Sequence, residues 1–172
     1  MQLISHPAHS PGAITSVDAH VTLAPNGLMV SYSVTGDINE LVLPARREPR
    51  RAENLWQTTC FELFLRGDGP AYSEYNFSPS GEWAAYAFDS HREGRREISA
   101  TITTATAGDA ETLNLTASLV TDLDDVASLA LTAVIEERSG HKSYWAIAHH
   151  AGVPDFHDDA CFALRLADIG AA

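Results

Sequence analysis

Period-two alternation of apolar and polar residues is the feature that most constrains what this chain can fold into. In "AITSVDAHVTL", residues 13–23, the apolar side chains alternate with Asp18, His20 and Thr22. Such alternation places the apolar side chains on one face of a β-strand. A Pro-Asn-Gly turn follows at residues 25–27, and "GLMVSYSVTGD" then alternates in the same way. Together these segments predict a β-hairpin with one buried face.

The same pattern recurs in about ten short segments that are separated by Gly, Pro, Asp and Ser turns. Helical periodicity is poor. Residues 122–140 could carry a helix, but apolar residues alternate from Leu129 to Ile135, so we predict a strand preceded by a short helical turn. The chain has no repeat and no linker, so its 172 residues predict one domain over 1–172, with an irregular segment at 1–12. This domain is expected to be an all-β sandwich or barrel.

Charge and composition limit the kinds of partner. The chain has 11 basic and 23 acidic residues, a formal net charge of −12, which argues against nucleic acid and anionic membranes. No apolar run reaches the length of a membrane-spanning helix, and residues 1–17 lack the pattern of a signal peptide, so a cytoplasmic protein is expected. Two cysteines, Cys60 and Cys161, are too few for a disulfide scaffold and are expected to be free thiols.

A polar face is predicted on two apolar strands, "LWQTTCFELFLRG" and "AYSEYNFSPSG". If these strands pair across "RGDGPA", alternation brings Trp56, Glu62, Glu74 and Asn76 to one surface. An aromatic face stacks on a sugar ring, while carboxylates and amides bind its hydroxyls. The alternative is an ordinary solvated sheet face.

The segment from Glu53 to Arg96 carries a family resemblance. Its elements are Trp56, the strand "CFELF" (60–64), the strand "YNF" (75–77) and the turn "SPSG" (78–81). In this order they resemble the core of DOMON-like proteins related to family 9 carbohydrate-binding modules. The segment 141–166, with its Pro-Asp-Phe-His connection, resembles the C-terminal strand pair of that family.

This resemblance implies an immunoglobulin-like or jelly-roll β-sandwich of about ten antiparallel strands with little helix. It also implies sugar binding, with Trp56 and Glu62 matching the sugar-contact pattern and Asn76 on the neighbouring strand. Cys60 departs from the pattern, because an aspartate often precedes the Glu strand in those modules. The related modules are often secreted and attached to a glycoside hydrolase.

Two polar loops are candidates for the border of the site. Arg46 and Arg47 belong to an arginine cluster that precedes Trp56 and could clamp an anion, although a solvated loop paired with glutamates is the alternative. In the second loop, His150 or His157 could reach a ligand.

The second loop also holds the residue types of a metal site. Its spacing matches no zinc motif, but Asp155, Asp158 and Asp159 could contribute oxygen ligands to a structural calcium ion, which the family resemblance makes reasonable. The alternative is a polar loop with an Asx-turn at Asp155. No other cofactor is expected.

The sequence therefore predicts a non-catalytic module that binds a small polar ligand, a saccharide in our interpretation. Three alternatives stay open. Glu62 and Glu74 could form the carboxylate pair of a glycosidase-like enzyme. A Met and a His could hold haem, as in some DOMON domains, and Met29 is the only internal methionine. The ligand could also be another protein.

Overall fold

The computed structural model describes residues 1–170, which form twelve β-strands, four short 3₁₀ turns and no α-helix. The strands are β1 (Ile4–Ser5), β2 (Ile14–Ala24), β3 (Gly27–Gly36), β4 (Cys60–Arg66), β5 (Tyr72–Phe77), β6 (Trp83–Phe88), β7 (Arg96–Glu97), β8 (Thr101–Gly108), β9 (Thr112–Val120), β10 (Ser128–Glu136), β11 (Lys142–Ala146) and β12 (Leu164–Arg165). The 3₁₀ turns are Ile38–Glu40, Leu55–Gln57, Asp159–Cys161 and Leu166–Asp168. No helix among residues 1–170 has the length and apolar character needed to cross a membrane.

The strands form two antiparallel sheets. The smaller sheet has the order β2-β3-β9-β8. The larger sheet has the order β1-β11-β10-β4-β5-β6-β7, and β12 pairs with β10. The predicted all-β sandwich of antiparallel strands is therefore confirmed, and the first hairpin is β2–β3 as expected.

The two sheets enclose the main apolar core, to which the alternating residues of β2, β3 and β9 contribute. From the larger sheet, Phe61, Leu63 and Leu65 of β4 face this core. Gly27 begins β3 with a φ of +148°, and a Cβ there would lie 2.1 Å from the carbonyl oxygen of Leu119. Only glycine allows this close approach between β3 and β9.

The larger sheet is also covered on its other face. A second apolar cluster there contains Cys60, Phe64, Tyr86, Phe156 and Phe162, of which the last two belong to the segment after β11. The side chains of β4 up to Leu65 are consequently buried on both faces. The face that carries Glu62 is thus covered by the C-terminal segment and is not an ordinary solvated sheet face.

Several predicted strands differ in the structure. The segment "INELVLP" (38–44) is one of the short segments predicted as strands, but Ile38–Glu40 is a 3₁₀ turn, because the Asp37 side chain accepts a hydrogen bond from the backbone N–H of Asn39. Trp56 lies in the 3₁₀ turn Leu55–Gln57 and not in a strand. The last segment predicted as a strand, "ACFALRLAD" (160–168), forms a strand only at Leu164–Arg165, and the turn Asp159–Cys161 precedes it.

The N-terminal segment is not wholly irregular. Ile4–Ser5 forms β1 and pairs with Trp145 and Ala146 of β11, which adds a strand to the edge of the larger sheet. Within residues 122–140, residues 128–136 form β10, as the alternation indicated, but the predicted helical turn before the strand is an ordinary hydrogen-bonded turn.

Candidate functional site

The site is built on the register of β4, β5 and β10. Glu62 on β4 pairs with Asn76 on β5 and, on its other side, with Thr132 on β10. In the next row along the sheet, Phe64 pairs with Glu74. Since alternate residues of paired strands share a face, Glu62, Glu74 and Asn76 point to the same side, as the sequence predicted.

A cavity of about 430 Å³ opens above this row of side chains. Its volume falls within the range of roughly 300–1,000 Å³ that is usual for small-molecule sites. The cavity is lined by Asn54, Trp56, Glu62, Glu74, Tyr86, Phe88, Arg92, Arg95, Val134, Tyr144, Pro154, Phe156 and His157. Aromatic rings and a small number of ionisable groups therefore share one concave surface.

Trp56 is the exposed aromatic residue of the cavity. The turn that carries it begins after Asn54, which has a φ of +60° in the left-handed region, where asparagine is tolerated better than most residues. Leu55 is buried and anchors the turn, whereas Trp56 is 53% exposed. The indole is thus held at the mouth of the cavity with much of its surface free.

Glu62 lies at the base of the cavity and is almost fully buried. Its Oε2 accepts a hydrogen bond of 3.0 Å from the hydroxyl of Thr132. Burial, followed by repulsion from Glu74, raises the pKa of Glu62 to about 8. At neutral pH this carboxyl is therefore mainly protonated, and it can both donate and accept a hydrogen bond.

Glu74 is the second buried carboxyl. Its Oε1 accepts a hydrogen bond of 2.5 Å from Nδ2 of Asn76. Burial raises the pKa of Glu74, and the hydrogen bond from Asn76 opposes that rise. Asn76 itself is buried and does not line the cavity, so its contribution to the site is to orient Glu74.

His157 is the histidine that reaches the cavity. Its Nδ1 lies 2.7 Å from the hydroxyl of Tyr72, which also accepts a hydrogen bond of 3.0 Å from the backbone N–H of Arg92. Its Nε2 lies 3.8 Å from Oε2 of Glu74. Burial, assisted by the positive charge of Arg92, lowers the pKa of His157 to about 4, so the imidazole is neutral at pH 7.

Arg92 and Arg95 provide the cationic side chains of the cavity. Both come from the loop between β6 and β7, and their side chains are about half exposed. Arg92 donates from Nη2 to Asp155 at 2.7 Å, and Arg95 donates from Nη2 to Glu53 at 3.1 Å. The guanidinium of Arg95 also lies 4.1 Å from the ring centre of Tyr86, a cation–π contact.

The two carboxylates that hold these arginines are ionised. Burial raises the pKa of Asp155, but hydrogen bonds from Arg92 and His91 outweigh it and bring the pKa to about 2. A hydrogen bond from the Tyr86 hydroxyl lowers the pKa of Glu53. Each arginine is therefore held by a carboxylate that is ionised at neutral pH.

The predicted residues Arg46 and Arg47 lie away from the cavity. Arg46 donates from Nη2 to the carbonyl oxygen of Thr106 at 2.8 Å, and so ties its loop to β8. Arg47 lies 3.6 Å from Glu82, which Arg50 also contacts at 2.8 Å. These arginines contact acceptors of the protein itself, as the alternative interpretation held, and do not border the site.

His150 also lies outside the cavity lining, where its Nδ1 is 3.5 Å from Asp158. The three aspartates proposed for calcium do not converge. Asp155 contacts Arg92 and His91, Asp158 contacts His150, and Asp159 contacts Arg66.

Within residues 1–170, no group of three or more His, Cys, Asp or Glu side chains is arranged to hold a metal ion. The calcium hypothesis is therefore not supported, because separate cationic partners draw the carboxylates apart. The loop instead contains an Asx-turn, in which Asp155 accepts a hydrogen bond from the backbone N–H of His157.

The haem alternative also lacks its ligands at this site. The two methionines of the chain are Met1 and Met29. Met29 is 46% exposed on β3 of the smaller sheet. The terminal amine of Met1 donates a hydrogen bond to the carbonyl oxygen of Ala19 on β2. Neither lines the cavity that His157 reaches.

Sequence reasoning missed Arg92, Arg95 and most of the aromatic lining. Strand alternation could have assigned Tyr86 to the same surface, because Tyr86 pairs with Glu74 in the β5–β6 hairpin. The string "AYAFDSHREGRRE" places two aromatic residues on one face, two arginines in the following loop and a third in β7. That string is a usable signal, whereas Tyr144 and Phe156 have no comparable local pattern.

No family model matches this chain, and no curated protein matches it. Among solved structures, the chain is similar to the crystal structure of a candidate carbohydrate-binding protein from Bacteroides uniformis ATCC 8492. The two share 14% sequence identity and superpose with a TM-score of 0.55 over 86% of this chain and 76% of that chain. At this level of identity the likeness shows a shared fold.

Proposed function

We propose that this protein is a ligand-binding module that takes a saccharide into the cavity between Trp56 and Glu62. The observation that carries the proposal is the combination of a half-exposed indole at the mouth with two buried carboxyls at the base. A sugar ring has an apolar face, which stacks on an indole, and hydroxyls that both donate and accept hydrogen bonds.

The polar groups at the base suit hydroxyl ligands. A protonated Glu62 offers one donor, while Glu74 accepts and its orientation is fixed by Asn76. A buried carboxyl that keeps unused hydrogen-bonding capacity is costly unless a ligand or water satisfies it. The fold likeness to the Bacteroides uniformis protein, itself described as a candidate carbohydrate binder, supports the same assignment.

The test is a glycan array followed by isothermal titration calorimetry on the saccharides that respond. We expect Trp56→Ala to weaken binding about tenfold or more. The stacking of a nucleobase on an aromatic side chain, a contact of comparable area, contributes about 1–3 kcal/mol. The matched control is Met29→Ala, which removes a similarly exposed apolar side chain from the smaller sheet. Absence of any saccharide response, or equal affinity in Trp56→Ala, would contradict the proposal.

A second candidate is a glycosidase-like activity, favoured by two buried carboxyls at one cavity, of which Glu74 repels Glu62 and raises its pKa. Their environments differ, as a general acid and its partner require: Glu62 has its hydroxyl partner Thr132, and Glu74 has the amide of Asn76. Incubation of the protein with aryl glycosides, beside Glu62→Gln as the inactive reference, would test this. Hydrolysis by the wild type that the variant loses would establish the enzyme.

A further inference from the structure

The cavity is lined by two basic side chains, although the molecule as a whole is acidic. The chain carries a formal charge of −12, yet two of its 11 basic residues, Arg92 and Arg95, line this one cavity. The ionisable acids among the lining residues are Glu62 and Glu74, which lie buried at the base. The half-exposed rim on the side of the β6–β7 loop therefore presents two guanidinium groups to the cavity, each already paired with one carboxylate outside the lining.

Both arginines are held in place before any ligand arrives. Arg92 is fixed through its backbone N–H, which donates to the Tyr72 hydroxyl, and through its side chain, which contacts Asp155. Arg95 is fixed by Glu53 and by the ring of Tyr86. Such fixation reduces the conformational entropy that binding would otherwise cost.

Each arginine keeps donors for a ligand. A guanidinium has five N–H donors in a planar fork, and the contacts to Asp155 and Glu53 engage one terminal nitrogen of each residue. The remaining N–H groups match the two oxygens of a carboxylate, which arginine binds in bidentate fashion.

The conformation of Arg92 is a second, independent observation. Among residues 1–170, the non-glycine residues with a left-handed backbone are Asn54 and Arg92, and both line the cavity. A left-handed arginine carries a steric cost that the surrounding contacts must offset. Residues with such strain cluster at active sites, ligand-binding positions and switch regions.

We propose that Arg92 and Arg95 determine specificity and that the saccharide taken by this site carries a carboxylate, as uronic acids do. This inference rests on the proposed saccharide-binding function and adds the ligand class. The sugar ring would stack on Trp56, and its carboxylate would lie against the two guanidinium groups of the β6–β7 loop.

The experiment uses matched ligands: oligogalacturonate and alginate oligosaccharides, each beside its carboxyl-reduced form, with affinities measured by calorimetry. We expect each acidic form to bind at least about tenfold tighter than its reduced form, and this preference to shrink as NaCl is raised. Arg95→Gln should abolish the preference. The control is Arg96→Gln, which removes the neighbouring arginine that contacts Asp89 and does not line the cavity.

The outcomes separate the two proposals. Equal or tighter binding of the carboxyl-reduced forms, still dependent on Trp56, would overturn the carboxylate inference and leave the saccharide proposal standing. Retention of the acid preference in Arg95→Gln would overturn the role of that arginine. If neither form binds, and the wider glycan array is also negative, both proposals fall. Circular dichroism of each variant checks that the sandwich is folded.

Discussion

The hydroxyl of Tyr72 lies 2.7 Å from Nδ1 of His157, and the orientation of that hydrogen bond fixes the state of the histidine. Tyr72 already accepts from the backbone N–H of Arg92, so we assign its single proton to the bond with Nδ1. The ring proton of a neutral His157 is then on Nε2, which lies 3.8 Å from Glu74. The imidazole thus has a donor facing the cavity base.

The first prediction concerns this tautomer. Nitrogen-15 NMR of the histidines should show His157 neutral at pH 6 with its proton on Nε2, because burial and Arg92 bring its pKa to about 4. Tyr72→Phe removes the hydrogen bond that favours the neutral ring, so the pKa of His157 should rise in that variant. A wild-type titration midpoint near the ordinary value of about 6.5 would contradict the assignment.

The second prediction concerns Glu62 and pH. An unfolded glutamate has a pKa of about 4.3, whereas burial raises the folded pKa of Glu62 to about 8. Between these values the unfolded chain releases the proton and the folded protein keeps it, so stability falls as pH rises. The loss is on the order of 1.4 kcal/mol per pH unit at most, and it ends once the pH exceeds the folded pKa.

Glu62→Gln should remove this dependence while keeping an acceptor for Thr132. We expect little change in the free energy of unfolding at pH 5 and a gain of at least about 1–2 kcal/mol at pH 8.5, measured by urea denaturation. Glu48→Gln, at an exposed loop position, is the matched control and should leave the slope unchanged. An identical pH slope in wild type and Glu62→Gln would count against the buried carboxyl as its source.

The part of the site that the sequence could predict is the part set by strand register. Glu62, Glu74 and Asn76 fall on one face because side chains alternate along β4 and β5, and a short turn joins the two strands. Trp56 was assigned to the same surface for a wrong reason, since it lies in a 3₁₀ turn. That turn reaches the cavity because Leu55 packs into the second apolar cluster.

The remaining part depends on which segment covers the outer face of the larger sheet. Phe156 and His157 reach the cavity because the C-terminal segment packs onto Phe64, and no period within that segment encodes this position. The calcium interpretation failed for a related reason. Residue types indicated ligands, but the arginine partners of Asp155 and Asp159 come from distant parts of the chain.

The third prediction concerns the thiols. Cys60 and Cys161 are buried and unpaired with each other, and burial raises the pKa of Cys161 to about 11 and that of Cys60 well above its ordinary value. Because the thiolate is the reactive form, Ellman's reagent should react with neither thiol in the native protein at pH 7.5. In guanidinium chloride both should react at once. Rapid labelling of the native protein would show that the second apolar cluster opens readily.

The fourth prediction separates the backbone strain at Arg92 from the role of its side chain. Arg92→Ala and Arg92→Gly both delete the guanidinium, and differ only in a Cβ on a residue with a φ of +59°. Since glycine adopts this conformation without steric cost, the glycine variant should be more stable than the alanine variant by about 1 kcal/mol in urea denaturation. Both variants should lose affinity for an acidic saccharide equally, because neither retains the side chain that contacts Asp155 at the cavity rim.

The control is the same pair of substitutions at Arg96, which lies in β7 outside the left-handed region. There the order of stability should reverse, because glycine weakens a strand relative to alanine. The same order at both positions would show that the loop relaxes around Arg92 and stores no strain there.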